Sequence, residues 1–241
     1  MNKESLSAIQ KDISRMRSGS PENLNLQRIK SLVKIFQNKR LADTHQKLLE
    51  DESTRAAALF FLERLYGAGD LSRRDQQVER IVPKAESILP SAAVDVLRKV
   101  LYTDWLAEKM DTELALKLME LDSFSEDSLS DAEYLEAFRN LDAWEIRQQQ
   151  IDLIGDVGQS LHRLLRLPLL STILKMTRGA AQKANLEEFH DFLTEGVRAF
   201  KSLRDPQRFF EAIQNRERLL LETVRSSGAC SFEALYEEIR R

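Results

Sequence analysis

Apolar residues recur three and four positions apart along almost the whole chain, and the every-second-residue alternation of a half-buried strand is missing. That spacing predicts helices joined by short connections. Ser5 caps a first helix running to about Arg17, and Gly19-Ser20-Pro21 breaks it, with Pro21 suited to the first turn of the next. Leu24, Ile29, Leu32, Val33, Phe36 and Leu41 stripe a second helix that continues to Leu49. Asp51-Glu52-Ser53 stops it, and a third helix runs from Thr54 to Tyr66 and ends at Gly67-Ala68-Gly69.

Ser72, with Asp75 at the third helical position, reads as a capping-box variant for a short helix over about 73–82. Another opens near Ser91 and carries Val94, Leu97, Val100, Leu101 and Leu106, followed by a separate short helix over 111–121. The acidic, serine-rich segment 122–131 is the best linker candidate. A single long helix is predicted from Asp131 to Leu165, with Trp144, Ile151, Ile154, Val157, Leu161, Leu164 and Leu165 on one stripe. Gly155 and Gly158 inside it point to a close approach by a neighbouring helix or a slight kink, the alternative being a flat helix wall against a planar ligand. Pro168 starts a shorter helix fading near Gly179. Leu186, Phe189, Phe192, Leu193, Val197, Phe200 and Leu203 form the clearest amphipathic pattern in the chain. Asp205-Pro206 caps a helix reaching Gly228, and Ser231 caps a last short one. The expected fold is all-α, an irregular bundle of about eight to ten helices forming one domain over 1–241.

Composition sharpens this picture. Glycine (8) and proline (5) are scarce, which favours long helices. The charged fraction of 31% exceeds the ordinary share of about 25%, as on the wet faces of helices. With 39 acidic and 36 basic residues the net charge is −3, so there is no footprint for duplex nucleic acid. Cys230 is the one cysteine, which excludes an intrachain disulfide and a thiolate zinc site and fits a cytoplasmic location. The N-terminal stretch has no secretory apolar region, and no apolar run approaches the roughly 20 residues of a transmembrane helix.

Candidate chemistry is sparse. Glu187 and His190 make one Glu-x-x-His; a di-iron bundle needs a second copy, and neither His45 nor His162 supplies it. No catalytic triad, phosphate loop or dinucleotide fingerprint can be assembled, so no catalytic residue, metal or cofactor is expected. The basic run Arg163, Arg166, Lys175 and Arg178 reads as the solvated side of amphipathic helices. The densest stretch is 60–75, where Phe60 and Phe61 stand close to Glu63, Tyr66, Arg73, Arg74 and Asp75. One reading is a buried polar network between helices, in which Arg73 or Arg74 folds back to neutralise Glu63. The other is a ligand pocket formed by Phe61, Glu63, Tyr66 and Arg74.

The run Phe60-Phe61-Leu62-Glu63-Arg64-Leu65-Tyr66-Gly67 resembles the signature of a bacterial family of uncharacterised proteins named for an FFLEELY motif, departing from it at Arg64, where the motif is acidic. Ser72 to Asp75, Leu89-Pro90, Ala137-Phe138-Arg139, the Phe192–Phe200 stretch and Arg216-Glu217 are similar too, so the likeness spans about 60–217. It adds Arg139, Arg216 and Glu217 to the structural polar set and implies a soluble single module of no stated activity. Two functions stay open. The first is a non-enzymatic interaction or regulatory module whose partner is another protein or a second copy of the chain. It draws on the aromatic-rich helices 186–203 and 206–226. The second is an inter-helix pocket for an apolar or planar small molecule.

Overall fold

The computed structural model describes residues 5–18, 23–65, 76–83, 89–125, 127–168 and 170–240, and no strand occurs among them. Among the described residues, twelve α-helices form an irregular bundle. They are α1 (Leu6–Ser18), α2 (Leu24–Thr44), α3 (Gln46–Glu50), α4 (Arg55–Leu59), α5 (76–83), α6 (Ser91–Met119), α7 (Asp131–Leu141), α8 (Trp144–Leu165), α9 (Leu170–Lys183), α10 (Glu187–Lys201), α11 (Pro206–Ser226) and α12 (Phe232–Arg240). A π-helical segment, Phe60–Leu65, continues α4.

Several helix starts are built as the local sequence dictates. The Ser5 hydroxyl accepts from the Ala8 amide at 3.2 Å, and the Ser231 hydroxyl from the Ala234 amide at 3.2 Å. The Asp205 carboxylate accepts from the Arg208 amide, with Pro206 in the first turn. Ser130 and Glu133 close a reciprocal capping box at the start of α7.

Three expected boundaries are corrected. The second helix does not reach Leu49: it stops at Thr44, whose hydroxyl bonds back to the Arg40 carbonyl at 2.7 Å, and α3 starts beyond His45. The two helices expected over 91–121 are one, α6, because the polar stretch around Glu108 and Asp111 faces inward rather than marking a break. The long helix expected over 131–165 is two, because Asp142 takes the left-handed conformation (φ 51°) that ends α7.

Helix α6 is the spine, packing on α1, α2, α7 and α8. Three apolar clusters make up the core, two of which include residues of α6. Leu6, Ile9 and Ile13 of α1 meet Val82 and Leu101. Ile29, Val33, Leu114, Leu118, Leu135, Leu220 and Leu235 join α2, α6, α7, α11 and α12. The third gathers Ala57, Phe60, Phe200, Phe209, Phe210 and Ile213 from α4, the π segment, α10 and α11. Helices α8 and α11 touch closely at Gly158, where a Cβ would stand 2.4 Å from the Phe210 ring, which is the close approach its glycine pair predicts. Phe189, Phe200, Phe209 and Phe210 are all buried, so the aromatic faces of α10 and α11 lie inside the bundle.

Candidate functional site

Between α2, α6, α7, α8 and α11 lies a cleft of about 110 Å³, bordered by Arg40, Asp111, Tyr134, Phe138, Arg147 and Glu217, with Phe61 of the π segment also on its wall. Its apolar lining comes from the second cluster, including Leu135, Leu220, Val224 and Phe232. Its polar lining is of two kinds.

One kind is fully paired. Arg40 Nη1 donates to both oxygens of Glu217, at 2.7 and 2.6 Å, and His45 Nε2 stands 2.8 Å from Glu217 Oε1. The Tyr236 hydroxyl lies 2.7 Å from Thr44 Oγ1, one turn from Arg40. Burial works to raise the Glu217 carboxyl, but Arg40 and His45 overcome it and hold it down to about 2. A second cluster of charges lies further along α6, although Glu108 Oε2 has no hydrogen bond there. Glu108, 2% exposed, receives Arg17 Nε at 2.9 Å, Lys30 Nζ at 3.2 Å and Lys34 Nζ. Burial again pushes upward there, and Lys34 and Arg17 bring the carboxyl down to about 2.

The other kind is open. Arg147 lies over the Phe138 ring at 4.9 Å and gives Nη1 to Gln150 Oε1 at 3.0 Å. Its Nε and Nη2 are buried and have no hydrogen-bond acceptor. Such donors normally find one, since a buried unsatisfied group costs about 1–3 kcal/mol. Asp111, on the same cleft wall, is 5% exposed. Burial pushes its carboxyl up to about 6, against the pull of Lys34 and Arg147. The cleft wall therefore includes an arginine held by Phe138 and Gln150 and a buried acid raised to about 6.

The site residues expected from sequence are placed unequally. Phe61 lines the cleft. Glu63 is exposed, so its carboxylate meets water and lacks the burial that pairing with Arg73 or Arg74 was to relieve. Its neighbour Arg64 instead meets Glu195 at 2.9 Å. Tyr66, Arg73, Arg74 and Asp75 lie outside the described residues. Phe60 turns onto α10, 5.2 Å from Phe192, and presses against Gly196, where a Cβ would come within 2.8 Å of its ring. Adjacent on the helix, the two phenylalanines point to different sides, Phe60 to the α10 core and Phe61 to the cleft. The Leu62 carbonyl of the π segment accepts from Asn38 Nδ2 at 2.7 Å.

Glu217 joins the cleft network, while Arg139 and Arg216 serve the α11–α12 junction. Arg139 donates to the Val224 and Ala229 carbonyls at 3.1 and 2.7 Å, and Arg216 lies over Tyr236. His190 is buried with Nε2 2.8 Å from the Leu174 carbonyl, whereas Glu187 is exposed, so the two do not converge. Cys230 is exposed, and so are Arg163, Arg166, Lys175 and Arg178.

Sequence reasoning missed Arg40, His45, Glu108, Asp111 and Arg147. A signal existed for two of them. Leu101, Glu108, Asp111, Ala115 and Leu118 continue one stripe of α6, so charges occupy positions where the period demands apolar side chains.

Residues 16–229 match the profile of a family described as a domain of unknown function, DUF8198, and the chain belongs to that family. No curated protein and no solved structure matches it. No helix among the described residues is long and apolar enough to cross a membrane.

Proposed function

We propose that the protein is a small-molecule-binding helical module, with its ligand in the cleft between α2, α6, α7, α8 and α11. The observation that carries this reading is the cleft itself, an inter-helix space of about 110 Å³ with a mainly apolar lining and Asp111 and Arg147 among its polar residues. Pockets of this kind, apolar with a few fixed polar groups, form between the helices of bundles. The reading is one of binding without chemistry, because Glu217 is held by Arg40 and His45, and no histidine, cysteine or serine among the described lining residues stands beside Asp111. A cytoplasmic location belongs to the same proposal, supported by the single cysteine. So does a bacterial source, supported by the likeness at residues 60–67.

Ala107 also lines the cleft and is half-buried, so Ala107→Leu adds bulk there. Ligand-observed NMR with a set of small acids, amides and alcohols tests the reading. Saturable binding to the native chain that disappears in a folded Ala107→Leu variant supports it. Binding by no member of the set, or binding that the variant leaves intact, overturns it.

A second reading keeps the interaction module, and helix α9 favours it. None of its described residues is buried, and Met176 is 78% exposed beside the cations Lys175 and Arg178. An acidic apolar partner would suit that face. Met176→Glu changes nothing in the cleft, so a loss of partner binding in that variant alone would separate the two readings.

A further inference from the structure

We infer that the outward face of α9 docks on an anionic lipid surface, with Lys175 and Lys183 against its headgroups and Ile173 and Met176 in its outer apolar layer. The inference is independent of the cleft and rests on the α9 reading above, whose partner it specifies.

Placement comes first. Helix α9 is fastened to α10 along one side, where His190 Nε2 stands 2.8 Å from the Leu174 carbonyl and Lys201 Nζ donates to Ser171 Oγ at 2.9 Å. Leu170, Leu174 and Ala181 are half-buried on that side. At about 100° per residue, the opposite side carries Lys175, Met176, Gly179 and Lys183, and all four are exposed. A Cβ at Gly179 would meet no atom within 4 Å, so no described part of the chain covers this face there. Ile173, 50% exposed, stands on its flank one turn before Met176.

Charge identifies the partner. Residues 157–186 contain five Lys and Arg and no Asp or Glu, in a chain whose net charge is −3. Arg163 reaches back to Asp95 at 3.5 Å. Arg166, Lys175, Arg178 and Lys183 are exposed, and among the described residues none of them meets a carboxylate. By contrast, exposed Arg15 pairs with Asp12 and exposed Lys39 with Asp43. A cationic face with apolar side chains between its lysines suits an anionic bilayer. Its aliphatic groups enter the headgroup boundary, and the lysine stems keep their ammonium groups among the phosphates. Two such faces repel each other, which argues against a second copy of the chain.

Area separates a bilayer from a protein. The 14 residues of α9 make a rod about 21 Å long and about 10 Å across, so one side offers on the order of 200 Å². A specific protein interface takes about 800 Å² from each partner. A bilayer needs no matching shape, and its attraction grows about fivefold for each lysine or arginine held near an anionic surface.

Co-sedimentation of the full chain with vesicles tests this, comparing phosphatidylcholine alone with phosphatidylcholine containing about one third phosphatidylserine. Binding should be at least about tenfold tighter to the anionic vesicles and should fall as salt rises from about 0.05 M to about 0.5 M. Lys175→Gln and Lys183→Gln should each weaken it about fivefold and Met176→Glu at least as much, while Lys175→Arg should keep it. These side chains are exposed, so their replacement leaves the core intact. Lys39→Gln, on α2, removes an equal charge and should leave binding unchanged. Equal binding to the two kinds of vesicle, or equal weakening by Lys39→Gln, overturns the inference. Poly-glutamate, a polyanion without an apolar interior, separates the inference from the reading beneath it. If the chain binds poly-glutamate through Lys175 and Lys183 but binds no vesicle, the lipid surface is wrong and an acidic protein remains the partner of α9. If it binds neither, the α9 reading falls as well.

Discussion

Arg40 and Arg147 border the same cleft, yet a buried carboxylate takes Arg40 twice while Arg147 keeps two donors without an acceptor. Their acids differ in the same sense. Glu217 is held down to about 2 by its cations, whereas burial lifts Asp111 to about 6. Both acids are buried among helices of one bundle, so burial alone does not separate them. Closure does. Around Glu217 every charge has a bonded counterpart, and the group behaves as part of the frame. At the Arg147 end the bonding is incomplete: Nε and Nη2 are buried without an acceptor. A closed polar network fixes the packing of helices; an open one is a place where something else can complete it.

The largest expected effect comes from removing the charge at the centre of a buried cluster. Glu108→Gln leaves Lys30, 3% exposed, and Lys34 without their counter-charge, while Arg17 keeps Asp104 at 2.6 Å. Removing one partner of a buried pair typically costs about 3–5 kcal/mol, and urea unfolding at pH 7 should show a loss of that order. A loss under about 1 kcal/mol would place the Glu108 cluster on the solvated side of the comparison.

The open end predicts the opposite response and a dependence on pH. Asp111 has a folded-state value above its ordinary 3.8, so the folded chain binds the proton more tightly than the unfolded one. Its contribution is fully present below pH 3.8 and is lost as pH rises through about 6. At about 1.4 kcal/mol per unit, that loss is on the order of 2–3 kcal/mol. Asp111→Asn should therefore stabilise the protein at pH 8 relative to the native chain and bring little change at pH 4. Glu108 and Glu217 run the other way. Their stabilisation is present above 4.5 and is lost as pH falls toward about 2. Equal effects of Asp111→Asn at pH 4 and pH 8, by chemical denaturation, would show that burial does not set its titration.

A smaller effect tests the frame away from charge. Gly158→Ala places a Cβ 2.4 Å from the Phe210 ring, so α8 and α11 must separate. Overpacking of this kind costs about 1–3 kcal/mol, with thermal unfolding as the measure. A variant as stable as the native chain would mean that this helix pair yields easily.

How much of this was legible depends on range along the chain. The helices and their caps are local matters, and Ser5, Ser130, Asp205 and Ser231 announce them within four residues. The glycine in α8 announces a close neighbour without naming Phe210. The charged groups were harder. Glu217 lies 177 residues from Arg40 and 172 from His45, and nothing local ties the three together. Glu108 and Asp111 looked like a break in α6, because charges are usually read as solvated; both lie on its inward stripe. The Phe60–Asp75 stretch misled in a different way. Its residue types suggested a network around Glu63, but Glu63 is exposed, and the adjacent phenylalanines point to different sides, Phe60 to one core and Phe61 to the cleft. Composition does not reveal which neighbour covers each side.

The difference between the two arginines can be measured directly by urea unfolding of Arg40→Met and Arg147→Met at pH 7. Arg40→Met should lose about 3–5 kcal/mol, because Glu217 is left buried with His45 alone, whereas Arg147→Met should be as stable as the native chain or more so, because it removes two unsatisfied donors. Equal losses in the two variants would contradict the claim that Arg147 is incompletely bonded, since it would then be held within the frame as firmly as Arg40.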